Sequence, residues 1–474
     1  MLIMNPILII KYQLYLLQLE NYELGRYWKL ILKKGYFRSK QPLRKELVWT
    51  NKTKIIFLIS VILIGAGKII AFQFGFFAVI LWLVFALLSL PLFFTIALVS
   101  IIPVDLTIKK YLIGKAKKII KSKEKLIIIG IAGSYGKTTM KNVLTTILET
   151  HYKVLATPES VNTSVGIARW LLNKFDNNTE ILIIEMGEHY KGDIKYLCSI
   201  TPPDIAVLTG INEAHIERLG SIKTSISTMF ELVENARKDA LIILNADDEN
   251  IKKNYKGFTE GKNISFYSYK NDALVKIKIK NKKFDPRNLV WTFDADSLGT
   301  LSTSVLGEYI LGHIINGITV SKYLNLNDKE IKMGIFRIKP VEHRLQPIKS
   351  NADILVIDDS YNGNPDGVME SIELLDKFKD RRKLFITPGL VETGDKAPEV
   401  HQEIGRNLAK VATQVILIRN SVTPFIEKGL AEGNFDTSQI IWFDTAEEAH
   451  QALGGILKPN DVILFQNDWG DQYV

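Results

Sequence analysis

Leu126-Ile-Ile-Ile-Gly130-Ile-Ala-Gly133-Ser134-Tyr135-Gly136-Lys137-Thr138-Thr139 joins an apolar run to a polar stretch through a turn rich in glycine. The run Leu126–Ile131 predicts a strand, and Lys137–Glu149 a helix entered through the Gly/Ser loop. Strand, turn and helix in this order are what a nucleotide phosphate loop requires. Glycines let backbone N–H groups close on phosphate oxygens, and the helix N-terminus favours negative charge. Lys137 can reach the outer phosphates, and the Thr138 hydroxyl can coordinate Mg²⁺. The strict G-x-x-x-x-G-K-[ST] spacing is not met, because Ile131 stands at the first glycine position.

Downstream, Ile181–Glu185, Ile205–Thr209 and Leu241–Asn245 read as further strands with helical stretches between them, the pattern of a largely parallel, buried sheet. Residues 264–305 read as a β-rich insertion with many lysines. A second α/β series begins near residue 346, with strands expected at Ile354–Asp358, Lys383–Thr387, Val415–Ile418, Ile440–Phe443 and Val462–Phe465. Glu185 ends a buried strand, where a carboxylate can hold Mg²⁺ or orient its water. His215 follows another strand end on the same sheet edge. The seven histidines include no zinc spacing, and Cys198, the single cysteine, permits neither an intrachain disulfide nor a cysteine zinc site.

The front of the chain has a different character. Residues 1–125 hold 20 Lys/Arg against 5 Asp/Glu, whereas the whole 474-residue chain is only +9. Between Ile55 and Val104 the single charge is Lys68. Such a run is too long for one membrane span of about 20 residues and suits two. The break is expected near Gly65–Gly75, with the second span over Phe76–Ile102 and Pro91 inside it. Lysines and arginines flank the run on both sides, so both ends of this hairpin are expected in the cytoplasm. The basic excess then reads as a contact with lipid headgroups, and no nucleic-acid partner is expected. A signal peptide is not expected, for want of a basic start and a small-residue cleavage site. An interfacial helix around Tyr12–Leu32 would set Tyr27 and Trp28 at headgroup depth.

The expected organisation is a basic cytoplasmic or interfacial segment (1–54), two transmembrane helices (55–104) and a basic linker (105–125). A P-loop-type α/β nucleotide-binding domain (126–340) and a C-terminal Rossmann-like α/β domain (346–474) follow. Such a protein would be a multi-pass protein of the cell membrane with both α/β domains in the cytoplasm.

Five segments carry a resemblance: G-S-Y-G-K-T-T-M-K (133–141), E-M-G-E-H-Y-K-G-D-I (185–194), P-D-I-A-V-L-T-G-I-N-E-A-H-I-E-R-L-G-S (203–221), L-N-A-D-D (244–248) and D-D-S-Y-N-G-N-P-D-G (358–367). In order and spacing they resemble the Mur ligase family. The run Asp358–Pro365 is similar to that of members that add a D-alanyl-D-alanine dipeptide. The resemblance covers residues 126–474 and implies an ATP-dependent amide ligase of cell-wall precursor synthesis. In such a ligase ATP phosphorylates a substrate carboxylate, an amine attacks the acyl phosphate, and inorganic phosphate leaves.

By this resemblance Gly133, Ser134, Tyr135, Gly136, Lys137, Thr138 and Thr139 hold ATP, and Thr138, Glu185 and His215 hold Mg²⁺. Lys137, Glu185 and His215 would be the catalytic set. Asn316 would touch the adenine, while Arg344 and Asp359 would complete the nucleotide site when the last domain closes. Asn162 and Thr163 would meet the acceptor, and Asn362 and Asn364 the incoming amine. The implied partners are a cell-wall precursor peptide, linked to UDP or to lipid, an amino acid or dipeptide, and membrane lipid.

Three departures stand out. The family usually places a carbamylated lysine two residues before a glutamate, as a ligand for a second Mg²⁺; here Met229 precedes Glu231, and methionine cannot be carbamylated. The hairpin stands where a uridine-nucleotide domain is usual. The tail Leu464–Tyr473 differs from the common K-G-S-type ending. Alternatives within and beyond this chemistry are a ligase for another poly-amino-acid polymer and a membrane nucleotidase that has lost ligation.

Overall fold

The computed structural model describes residues 6–34, 47–212, 219–349, 353–361, 363–390, 393 and 396–466. It divides into two compact units, Met1–Tyr111 and Leu112–Val474.

The first unit is helical. α1 (Pro6–Leu19) and α2 (Leu24–Lys34) are separated by a turn in which Asn21 and Tyr22 have φ of 52° and 63°. The single helix expected around Tyr12–Leu32 is therefore two. Tyr27 lies in the unit's core with Leu14, Leu17, Ile56, Phe94 and Leu98, away from any surface. Its hydroxyl donates to Gln13 Oε1 at 3.2 Å, and the Trp28 indole donates to Thr95 at 3.2 Å.

The apolar run beyond residue 55 forms three helices, α3 (Asn51–Phe72), α4 (Phe76–Leu88) and α5 (Leu90–Lys121), of which two, α3 and α5, are long and apolar enough to cross a membrane. The first break falls at Gly75, whose φ of 97° suits glycine. The expected span Phe76–Ile102 is divided at Ser89, which leaves the helical region with φ −107° and ψ 17°. Pro91 then occupies the first turn of α5, where its missing N–H costs no hydrogen bond. α5 runs on past Pro103 to Lys121, so most of the expected linker 105–125 is helical. α3 and α4 touch at Gly67, where a Cβ would sit 2.0 Å from the Trp82 ring.

The second unit contains two six-stranded sheets. In the first, β1 (Ile127–Ala132), β2 (Val154–Ala156), β3 (Ile181–Glu185), β4 (Ile205–Leu208), β5 (Leu241–Asn245) and β6 (Asn263–Tyr267) lie in the order β2-β3-β1-β4-β5-β6, all parallel. Both faces are covered, which is why these strands read as unbroken apolar runs. Ile131 pairs with Glu185 and Ala132 with Leu208, so three strands end side by side at one sheet edge. α6 (Lys137–Leu148) leaves that edge and buries Met140, Val143, Leu144 and Ile147; each such side chain contributes about 1.5–3 kcal/mol. The β-rich insertion is split. β6 completes the parallel sheet, whereas β7 (Ile279–Asp285), β8 (Val290–Ala295) and β9 (Thr300–Thr303) form a separate antiparallel sheet.

The second large sheet has the order β10-β11-β15-β12-β13-β14, from β10 (Gln346–Lys349), β11 (Leu355–Asp359), β12 (Arg382–Thr387), β13 (Gln414–Ile418), β14 (Ile440–Phe443) and β15 (Asp461–Gln466). Only β10 is antiparallel to its neighbour. Along β12 the side chains alternate between two cores: Leu384 and Ile386 join one, Phe385 the other.

Candidate active site

Gly136 caps α6 in the left-handed conformation (φ 76°) and offers no side chain to the helix's first N–H groups. Those donors point into the turn 133–136, a seat for an anion. A Cβ at Gly133 would lie 2.2 Å from Thr209 Oγ1, so only glycine lets the loop pass β4 so closely. Several hydrogen bonds then hold the loop, among them one from the Thr209 hydroxyl to Tyr135 O. Ser134 N donates to Gly210 O (2.8 Å), Asn212 N donates to Ser134 Oγ (3.2 Å), and the Tyr135 hydroxyl donates to Asp248 Oδ2 (2.8 Å). Burial pushes the Tyr135 phenol far above its ordinary range, so it stays a donor. Lys137 Nζ donates to Gly133 O and lies 3.6 Å from Glu188 Oε2.

Beside the loop, the Thr138 hydroxyl donates to Glu185 Oε2 at 3.1 Å, and Lys141 Nζ meets the same oxygen at 2.9 Å. Lys141 lies one helical turn beyond Lys137, and the sequence signal for it is only a cation in the buried face of α6. A hydroxyl and a carboxylate are hard oxygen donors of the kind Mg²⁺ takes, with water and phosphate oxygens filling the remaining positions. Thr138 and Glu185 therefore fit a Mg²⁺ ion. Among the described residues no three His, Cys, Asp or Glu side chains cluster to hold a metal without such help. His215 lies outside the described residues, as do Asn362 and the tail beyond Gln466. Met229 is fully buried in the core. The Glu231 carboxylate instead accepts from Gly192 N (2.8 Å) and Lys195 N (3.0 Å), at the start of helix Asp193–Cys198.

Next to the loop a cavity of ≈ 270 Å³ opens between the two α/β domains. Tyr267, Tyr269, Tyr309 and His313 line one side, and Arg344, Asp359, Tyr361, Asn364 and Glu370 the other. The domains meet around it through the Tyr269 hydroxyl on Glu370 Oε1 (2.7 Å) and Asn212 Nδ2 on Asp366 Oδ2 (2.8 Å). Glu308 adds a third link, 3.0 Å from Lys377 Nζ. Arg344 Nη2 reaches within 3.5 Å of Thr138 Oγ1, and its guanidinium lies 4.8 Å from the Tyr361 ring centre. Burial raises the carboxyls of Asp359 and Glu370 to about 7, although Ser371 and Leu345 donate to the first and Tyr269 to the second. Burial also holds the His313 imidazole down to about 3, so it is neutral at physiological pH.

The other expected contacts are distributed unevenly. Asn316 is not at the cavity: it is fully buried and donates to Met140 Sδ at 2.8 Å. His313, one turn earlier on the same helix, faces the cavity in its place. Thr139 also lines the cavity. Asn364 does so while capping helix Pro365–Asp376, its Oδ1 accepting from Gly367 N at 3.2 Å. Asn162 and Thr163 are not cavity residues. Asn162 O accepts from Gly187 N (3.0 Å), two residues beyond Glu185, and Thr163 caps helix Ser164–Lys174.

Residues 131–318 match the Mur ligase middle domain, and residues 343–466 match the Mur ligase, glutamate ligase domain. The chain belongs to the Mur ligases, and is thereby an ATP-dependent ligase that forms C–N bonds with ATP and Mg²⁺. Neither matched region includes residues 1–130. More particularly, the chain is similar to the UDP-N-acetylmuramoyl-tripeptide--D-alanyl-D-alanine ligase of Bacillus subtilis, 24% identical over 344 residues that cover 72% of this chain and 73% of the relative. It is similar in structure to the MurF ligase of Thermotoga maritima in complex with ADP, with TM-score 0.66, 26% identity and coverage of 76% of this chain and 80% of that one. A MurF from Acinetobacter baumannii shares the fold at TM-score 0.67 and 20% identity, covering 76% of this chain and 77% of that one.

Proposed function

We propose that this ligase joins the amine of D-alanyl-D-alanine to the terminal carboxylate of a muramoyl-tripeptide cell-wall precursor, and works at a membrane surface. The observation that carries the reading is the meeting of Arg344 with Thr138, itself hydrogen-bonded to Glu185, beside the interdomain cavity. The N–H groups at the start of α6 would hold the phosphates of ATP, with Lys137 and Arg344 on the terminal one. Thr138 and Glu185, with His215 by resemblance, would hold Mg²⁺, which supplies charge neutralisation on the transferring phosphoryl group. The links Tyr269–Glu370 and Asn212–Asp366 would keep the domains closed, shielding an acyl phosphate from water. Asn162 and Thr163 would meet the acceptor, and Asn362 and Asn364 the amine.

Membrane attachment is supported by the first unit. α3, at 22 residues, is about 33 Å long, enough to cross the hydrocarbon. Its most apolar stretch is only 11% buried, unlike a core helix of a soluble protein. Ile55, Leu58, Ile62, Ile69 and Phe72 are exposed along it. Asp105 of α5 meets Lys52 of α3 at 3.3 Å and Lys109 at 2.9 Å, a charged cluster at one end of the apolar hairpin. This arrangement favours a second reading of the acceptor, as a lipid-linked rather than a UDP-linked precursor, because an anchor raises enzyme concentration where such molecules sit.

Both readings are tested by incubating the detergent-solubilised chain with Mg²⁺-ATP, D-alanyl-D-alanine and each acceptor, and weighing the products. An ATP-dependent dipeptide adduct on one acceptor is expected, and the acceptor used decides between the readings. No adduct on either would refute the proposed reaction.

A further inference from the structure

The turn that connects the two α/β domains holds Arg344 between two residues in an uncommon conformation. His343 has φ 57° and Leu345 has φ 45°, in the left-handed region that residues with a side chain seldom adopt. Such a turn persists only where its surroundings hold it, and here the end of β11 does so at each neighbouring residue. The His343 imidazole Nδ1 is 2.7 Å from Asp358 Oδ2, and His343 O accepts from Tyr361 N at 3.3 Å. Leu345 N donates to Asp359 Oδ1 at 3.2 Å, and His343 N donates to Gln346 Oε1 at 3.1 Å. The Arg344 side chain takes the other direction, towards Thr138 and the phosphate loop.

We propose that His343 is a positioning residue for phosphoryl transfer: its imidazole, held on the Asp358 carboxylate, fixes the turn that presents the Arg344 guanidinium to the terminal phosphate. This rests on the reading of the loop 133–139 as the ATP site. With a carboxylate opposite Nδ1, that nitrogen carries the proton and donates. The imidazole touches no phosphate and acts through Arg344. Without it, the left-handed turn would relax, and the guanidinium would lose its fixed approach to Thr138.

Two substitutions suit the backbone at this φ. His343→Gly removes the imidazole where glycine is at ease, and His343→Asn keeps a short donor on a residue that tolerates the left-handed region. The readout is the ratio of affinities for β,γ-methylene-ATP and ADP, measured by calorimetry with Mg²⁺ on the full chain in detergent. A hydrogen bond to a charged group corresponds to about tenfold in binding. The ratio should fall about tenfold in His343→Gly, with ADP affinity unchanged, and should recover most of the way in His343→Asn. Adding His343→Gly to Arg344→Ala should change the ratio no further. An unchanged ratio in His343→Gly, an equal loss in His343→Asn, or a further loss in the Arg344→Ala background would overturn the proposal. So would loss of ADP binding together with the thermal transition in His343→Gly, which would mark a role in the fold. Failure of the wild-type chain to bind ADP would instead sink the nucleotide reading beneath it.

Discussion

Lys141→Met isolates the ion pair beside the phosphate loop. The Lys141 and Glu185 side chains are 3% and 6% exposed, and their charged atoms are 2.9 Å apart. At an effective dielectric of about 20, that separation corresponds to an attraction of about 6 kcal/mol, before the cost of taking both charges out of water. Removing one partner leaves the other buried and uncompensated, which costs about 3–5 kcal/mol. Methionine matches the length of the lysine stem, so packing changes little. The Thr138 hydroxyl at 3.1 Å remains to the carboxylate and offsets part of the loss. Lys141→Met with Glu185→Gln removes both charges and should recover most of the stability, giving a coupling of about 3 kcal/mol in the double-mutant cycle. Hydrogen exchange of the β1 and α6 amides across a urea series reports this domain by itself. A single variant within about 1 kcal/mol of wild type, or strictly additive effects, would refute the reasoning.

Lys137→Ala should abolish ATP-dependent turnover while leaving the exchange protection of α6 intact; retained ligation would remove the phosphate-loop assignment. His313→Ala should weaken ADP binding, and Asn316→Ala should leave it within about twofold once the stability loss is allowed for, because only His313 reaches the cavity. Calorimetry on both variants checks this, and the reverse order would restore Asn316 to the base. Acid stability gives a further test. The folded chain keeps His313 neutral down to about pH 3, whereas the unfolded chain takes up a proton below its ordinary value of 6.5. The contribution is thus fully present above about pH 6.5 and is lost as pH falls, by up to about 1.4 kcal/mol per pH unit. His313→Gln should flatten that acid limb, and an unchanged limb would show that the imidazole titrates normally.

What could be read from the sequence follows the reach of each physical signal. Buried parallel strands announce themselves as apolar runs, so β1, β3, β4 and β5 are legible within a residue. β2 and β10 are not. β2 is three half-buried residues at a sheet edge, and β10 contains Pro347, which an edge strand tolerates and a central one does not. The division of the apolar run at Ser89 is hidden because hydropathy measures burial or lipid, and not the continuity of a helix. The cavity is harder still. Tyr269, Tyr309 and His313 come from one domain and Glu370 from the other, and the four share a cavity only because the two domains pack together. Along helix Ile310–Tyr323, His313 and Asn316 are the polar pair in an apolar stretch and lie three residues apart, nearly on one face. Only the packing of Met140 against Asn316 decides which of them the nucleotide side receives. Lys141 and His343 show the same limit, since their partners Glu185 and Asp358 lie on other strands.

Phosphate release from ATP, followed with and without a muramoyl-tripeptide acceptor and with and without D-alanyl-D-alanine, tests the ligase reading most directly. Release that requires both co-substrates, one phosphate for each dipeptide added, is the expected result. Release at an undiminished rate with neither present would contradict it and mark the chain as a nucleotidase.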